Sequence, residues 1–338
     1  MPLPKNTMAT TRRSFLRIAG LAAAATLTVP RGAAVAGPGS SGLQRFTGTL
    51  QPRSVARHGA LTLVWLHGGE AAPAPAVATF EEAQASGALL ITERGSATVP
   101  ELIVDNRGKA HVLLLAGEIL MGGKQNRVLR EDILLPPLSG PRSLSVYCVE
   151  QGRWSGGRKE FESKAYVAQP SLRRKLLDKD DQGRVWAEVD RSVRAQGIVP
   201  APTSSYAQVY EAPEVRRRLD DVERAVDDRA AKGAVGAMVV IGDEVSALDA
   251  FQDAGLFSRE WRKLLRAHAV EAYGRGVKAV PADEELRKRA RALLDAVGGA
   301  AGSARGNAGV GQLFEFRLTE FRGAALDYEG RVVHLAVV

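Results

Sequence analysis

The spacing of apolar residues changes twice along this chain, and the order of those changes limits the folds open to it. From Leu43 to Glu162 the apolar residues fall in short runs closed by turn-forming residues. Leu61 to His67 stops at Gly68-Gly69, and Val99 to Val104 leads into Asn106-Arg107-Gly108, which is the punctuation of strands. His111 to Ala116 is too uniformly apolar for a half-exposed strand and reads as one covered on both faces. One short helix interrupts the strands at Phe80 to Ser86, with Thr79 as cap, Glu82 three positions on and Gly87 as stop. Pro136-Pro137 and Ser139-Gly140-Pro141 precede a further strand that ends near Cys148.

The middle of the chain then takes a helical period. Trp186, Val189 and Val193 form one apolar stripe, and Val215, Leu219, Val222 and Val226 another, each backed by charged residues. Ala237 to Ile241 and Val245 to Leu248 read as a hairpin turning at Gly242-Asp243. Two more helices carry Phe257, Trp261, Leu264, Leu265 and His268, and Leu286, Ala290, Leu293 and Val297. Gly298 to Gly311 is rich in Gly and Ala and is expected to be a flexible loop. Leu313 to Leu318, Ala324 to Leu326 and Val332 to Val338 close the chain as strands around Glu329-Gly330. The pattern predicts an α+β fold with a β-rich N-terminal part, central amphipathic helices and C-terminal strands that return to the same sheet system.

Ahead of these elements, Thr11-Arg12-Arg13-Ser14-Phe15-Leu16-Arg17 precedes a weakly apolar run from Ile18 to Val29, then Arg31 and the small-residue exit Ala34-Val35-Ala36. This is the layout of a twin-arginine export signal. The run of 12 residues falls short of the roughly 20 that span a bilayer. The expected organisation is a signal at 1–36, a short linker at 37–42 and a single α+β domain over 43–338. The implied partner is the twin-arginine translocation machinery, and the implied destination is the periplasm or the exterior. No permanent span is expected after processing.

The formal charge of +8 includes Lys5, Arg12, Arg13, Arg17 and Arg31, with no acid in that segment. Removing those five leaves +3, and the other Arg-rich stretches are interleaved with Asp and Glu. A nucleic-acid binder would need a clustered basic stripe, so that class is disfavoured. Cys148 is the sole cysteine; no internal disulfide can form, and its apolar surroundings suit a buried strand thiol.

The segment with most chemistry runs from Leu115 through Gly117-Glu118 to Gly122-Gly123-Lys124-Gln125-Asn126-Arg127. Glycines let a backbone approach a bound group, and Lys124 and Arg127 are charge-assisted donors for an anion. The spacing is not that of a phosphate-binding Gly-Lys-Ser/Thr loop. Beside the apolar strand, Glu118 must be paired or hold its proton. A second polar group, Glu150-Gln151-Gly152-Arg153-Trp154, follows the Cys148 strand.

If the two strands are neighbours, Glu118, Gln125, Arg127, Glu150, Arg153 and Trp154 converge at one sheet end. They then form either a site for a planar polar or anionic ligand, with Trp154 stacking and Arg gripping, or a satisfied ionic network. Lys124, Gln125, Asn126, Arg127, Arg153 and Trp154 are the candidate ligand-binding residues. Glu118 and Glu150 are the candidate acid/base pair. His58, His67, His111, His268 and His334 lack the close spacing of a metal motif, so no metal ligands are assigned; His268 reads as core packing. Ser155 lacks the Gly-x-Ser-x-Gly elbow, since position 153 is Arg.

These residues resemble the ARG and Rhodanese-Phosphatase-superfamily-associated Protein domain family. The likeness is carried by Leu115 to Arg127, by Cys148-Val149-Glu150-Gln151-Gly152-Arg153-Trp154, and by Gly233-Ala234-Val235-Gly236-Ala237 with Leu256-Phe257 and Trp261. It runs from about Leu43 to His334. The family's name records domain association, so the resemblance implies no mechanism, no cofactor and no catalytic residue. The sequence therefore leads first to an exported domain that binds a small polar or anionic ligand or an envelope protein. The alternative is a hydrolase or transferase using Glu118 and Glu150. A purely structural partner protein is a third reading.

Overall fold

The computed structural model describes residues 38–69, 75–94, 100–153, 159–226, 231–276 and 281–338. The export signal expected at 1–36 lies outside these residues, as does Trp154.

In chain order the elements are α1 (Pro38–Thr49), β1 (Gln51–His58), β2 (Leu61–His67), β3 (Val77–Ala78), α2 (Phe80–Ala85), β4 (Leu89–Glu93), β5 (Glu101–Asn106), β6 (His111–Leu114), β7 (Glu118–Gly122), β8 (Arg127–Leu129), β9 (Ile133–Leu135), β10 (Gly140–Cys148) and β11 (Phe161–Val167). There follow α3 (Pro170–Leu177), α4 (Gln182–Ala195), α5 (Gln208–Glu211), α6 (Pro213–Ala225), β12 (Ala234–Ile241), β13 (Glu244–Phe251), α7 (Ala254–Ala272), α8 (Asp283–Gly298), β14 (Gly302–Arg305), β15 (Gln312–Arg317), β16 (Arg322–Tyr328) and β17 (Arg331–Val337).

Three sheets result. An antiparallel sheet runs β1-β2-β12-β13-β17-β16-β15-β14, so the last strands do join the first. A second runs β11-β7-β8-β10-β5-β4, and a small third runs β3-β6-β9. Because side chains alternate along a strand, β2 feeds two cores. Leu63 and Trp65 face α7, where Trp65 meets Trp261 edge-on at 5.1 Å. Val64 and Leu66 face α1 and α8, against Leu43, Phe46, Leu286 and Ala290. β6 does the same between sheets: Leu113 joins the α7 core, while Val112 and Leu114 pack with Phe80 of α2 and with Leu120, Leu129 and Val146 of the second sheet. That double coverage is why its sequence is uniformly apolar. On its other side the second sheet packs Ile119, Val128 and Val149 against Leu172, Val185, Val189 and Val193 of the middle helices.

Local sequence accounts for several boundaries. Thr79 and Glu82 form the reciprocal capping box of α2, and Gly87 takes φ +69° just past its end. Gly242, at φ +67°, turns the hairpin between β12 and β13.

Other expectations are corrected. Residues 38–42, expected in a linker, open α1, which is held down by Leu43, Phe46 and Leu50. The stripe of α4 is Val185, Val189 and Val193, and Trp186 is only half-buried. Several glycines of 298–311 serve close approach instead of flexibility: Gly302 opens β14, and a Cβ there would lie 2.3 Å from the Glu315 carbonyl oxygen. One on Gly309 would lie 2.4 Å from that of Leu134. Among the described residues no helix is long and apolar enough to cross a membrane.

Candidate functional site

The β7–β8 hairpin carries polar groups at both ends, and the ends have different chemistry. At the base, Leu115 to Glu118 forms a tight turn with Gly117 at φ +94°. The Glu118 side chain, 1% exposed, accepts a hydrogen bond from the Leu115 amide at 2.9 Å and pairs with the Lys263 ammonium of α7. Lys263 also lies 2.9 Å from Glu81 of α2 and 2.7 Å from Glu260, one helical turn before it.

Three acids thus surround one base. Burial pushes the Glu118 carboxyl up to about 8, a rise that Lys263 only partly opposes. Burial also raises Glu260, whose two oxygens accept no aligned hydrogen bond. On the more exposed Glu81 burial acts the same way, but Lys263 outweighs it and the carboxyl is lowered. Burial alone would lower Lys263; the carboxylates, Glu118 first, raise it well above its ordinary value. Oxygens of the three acids come within 4.8 Å of one another, a spacing that a metal ion can also use. Here the cation among them is Lys263 itself.

At the tip, the glycine pair answers to packing. A Cβ on Gly122 would fall 2.3 Å from the Glu160 carbonyl oxygen, and one on Gly123 2.4 Å from the Phe161 ring. Past them, the Asn126 amide donates to Glu150 Oε2 at 3.0 Å, and Arg153 Nη2 donates to the same oxygen at 2.6 Å. Gln125 Nε2 donates to the Glu150 carbonyl at 2.9 Å, and Arg153 Nη1 to that of Gly123 at 2.9 Å. The Lys124 amide donates to Glu93 at 2.7 Å. The structure therefore gathers Gln125, Asn126, Arg127, Glu150 and Arg153 at the tip, with Lys124 beside them.

It does not bring Glu118 there. Glu118 starts β7 and Gly122 ends it, a separation of about 13 Å at the rise of an extended strand. Glu118 and Glu150 have separate cations, Lys263 and Arg153.

Arg127 is the anomaly of the tip. It is 2% exposed, yet among the described residues no carboxylate lies within ion-pair distance. Its Nη1 donates to the Gln125 carbonyl at 3.0 Å and to Gln125 Oε1 at 3.3 Å. Its Nε is buried without a partner, and no hydrogen bond from Nη2 is found among the described residues. Burial lowers its pKa, a fall that Arg153 adds to and that Cys148, Glu93 and Glu150 do not reverse. Nε and Nη2 form the edge of a guanidinium that grips carboxylate or phosphate in two parallel bonds.

Sequence reasoning missed a second buried network. Arg173 of α3 holds Asp249 of β13 through two hydrogen bonds of 3.0 and 2.5 Å. His334 Nε2 and His268 Nε2 lie 3.3 and 3.4 Å from the Asp249 oxygens. His334 Nδ1 lies 2.7 Å from Asp132, whose other oxygen accepts from the Ala116 amide at 2.7 Å. Burial would lower His334, but Asp132 and then Asp249 raise it to about 9. Burial would likewise raise Asp249, and Arg173 drives it well below the usual range. The available signal was a charge inside each of two apolar runs, Asp249 in Ala247 to Phe251 and His334 in Val332 to Val337.

Comparison with curated proteins finds no match, nor does comparison with solved structures. Comparison with protein families does: residues 49–338 match the ARG and Rhodanese-Phosphatase-superfamily-associated Protein domain, and that stretch holds the hairpin and both ionic networks. The chain belongs to the ARG and Rhodanese-Phosphatase-superfamily-associated Protein domain family.

Proposed function

We propose that this protein is an exported binding domain that takes a small anionic ligand at the β7–β8 hairpin tip, with Arg127 as the anchor. The observation that carries the reading is the buried guanidinium with an unpartnered Nε and no acid in contact among the described residues. A buried charge without a partner is costly, and an anion on the Nε/Nη2 edge removes that cost. Gln125 and Arg153 add polar groups around it. The acid/base alternative is not carried forward, because Glu118 and Glu150 sit at opposite ends of the hairpin with their own cations.

The binding part is tested by titrating inorganic phosphate into the protein at constant ionic strength while following thermal unfolding. Ligand at 100 times its dissociation constant stabilises by about 2.7 kcal/mol. The stabilisation is expected to saturate and to vanish in Arg127→Met; equal stabilisation of both proteins refutes the assignment. Export is tested separately. Replacing Arg12 and Arg13 by Lys is expected to leave the precursor in the cytoplasm, and continued processing and export would count against the twin-arginine route.

A further inference from the structure

A second recess lies beyond the other end of β8. It is a cavity of about 240 Å³ between the turn Arg130–Asp132, helix α3 and the strands β14 to β17. Of its four lining cations, three are already paired: Arg173 with Asp249, Lys179 with Glu315, and Arg305 with both Glu131 and Glu315. The fourth, Arg130, has no carboxylate within ion-pair distance among the described residues. Its guanidinium is held over the Tyr147 ring, 4.5 Å from the centroid, which fixes the group without neutralising it. Ser145, joined to Arg130 through a 3.3 Å backbone hydrogen bond, also lines the cavity. Its hydroxyl makes no hydrogen bond among the described residues. Three carboxylates also line the cavity, each already held within the chain, Glu131 and Glu315 by Arg305 and Asp132 by His334 and the Ala116 amide, and Leu176, Leu177 and Leu313 supply apolar wall.

We infer that this cavity binds a small organic carboxylate, its charged end on Arg130 and Ser145 and its short apolar body against Leu176, Leu177 and Leu313. A fixed, unneutralised guanidinium beside an uncommitted hydroxyl supplies donors for one carboxylate. The volume lies below the roughly 300–1,000 Å³ of sites for drug-sized ligands, which limits the ligand to a few carbons. The leucine wall favours a carboxylate that carries hydrocarbon over inorganic phosphate, which has none to bury. This site is distinct from the hairpin tip, since Arg127 opens β8 and Arg130 follows its end.

Calorimetric titration of the full chain with butyrate, acetate and inorganic phosphate tests it. Butyrate is expected to bind most tightly. Its dissociation constant should rise at least about tenfold in Arg130→Met, as loss of a charge-assisted hydrogen bond implies. Leu313→Trp, which fills the cavity and leaves every charge in place, should abolish butyrate binding, while Arg127→Met should leave it unchanged. Thermal unfolding of each variant separates loss of the site from loss of the fold. Butyrate that binds Arg130→Met as well as the parent overturns the inference, as does preference for phosphate over butyrate in the Arg127→Met protein, where the hairpin-tip anchor is removed, or absence of butyrate binding to the parent.

Discussion

Lys263 and Arg127 are both buried cations, and they sit at opposite ends of the same hairpin with opposite surroundings. Lys263 has three carboxylates within 2.9 Å; Arg127 has none in contact among the described residues. At the base, excess acid holds Lys263 charged, and burial, helped by the neighbouring acids, makes Glu118 retain a proton. At the tip, only carbonyl oxygens and an amide oxygen face the guanidinium, and burial depresses it. The first arrangement is complete within the chain and therefore acts on stability. The second lacks a counter-charge among the described residues, and the proposed ligand would supply it. The contrast separates structural charge from functional charge by what is missing, because burial is the same in both.

The most severe way to probe the contrast is to remove the cation that completes the base. Lys263→Met leaves Glu81, Glu118 and Glu260 facing one another without a counter-ion. Breaking a buried pair from one side costs about 3–5 kcal/mol, and that loss is expected in urea unfolding at neutral pH. Asp249→Asn should cost a similar ~3–5 kcal/mol for the converse reason, stranding Arg173 and a charged His334. A loss below about 1 kcal/mol in either variant would mean that these networks relax by admitting water, and the distinction between the two hairpin ends would fail.

Much of the architecture was legible in the sequence because it follows from periodicity and caps. The α2 capping box, the β12–β13 hairpin, the faces of α7 and α8 and the doubly covered β6 all depend on residues within a few positions of one another. The ionic networks do not. Glu260 and Lys263, three apart on a helix, read as an ordinary surface pair; only the packing of α7 against α2 and β7 turns them inward to meet Glu81 and Glu118. His268 reads as a core residue and is fully buried, but its position beside Asp249 depends on strand order. The tip group was legible as a cluster, since Gln125, Asn126 and Arg127 are consecutive and the β8–β10 register pairs Arg127 with Cys148. Glu118 was assigned to it because it is near in sequence, and an extended strand then carries it away.

A gentler probe uses pH. Glu118 holds a proton up to about 8 in the folded protein and releases it near 4.5 when unfolded. Between those values the folded state binds more protons, so stability falls as pH rises from 4.5 to 8. Glu260, also raised, acts in the same direction. His334, near 9 folded against 6.5 unfolded, adds stability that is complete below 6.5 and lost as pH rises through 9. Urea midpoints are therefore expected to decline from pH 4.5 to 9. Glu118→Gln should flatten the decline below pH 6.5, and His334→Gln the part above 8. A Glu118→Gln protein with the parent's slope would show that Glu118 is ionised within the cluster.

The smallest expected effect is the most discriminating, because it concerns the end that lacks a counter-charge. Arg127→Met keeps much of the aliphatic volume and removes a guanidinium that touches no carboxylate, so no acid is left exposed to burial by the change. Replacing buried charge with apolar volume is often neutral or stabilising. Against that stand the bonds to Gln125 and a longer one to the Asn126 carbonyl, each worth at most about 1 kcal/mol net. Without ligand, the variant should lie within about 1 kcal/mol of the parent, in contrast to Lys263→Met at the other end of the hairpin. Phosphate should then stabilise the parent alone. A loss of 3 kcal/mol or more without ligand would show that Arg127 is completed from within the chain, and both hairpin ends would then be structural.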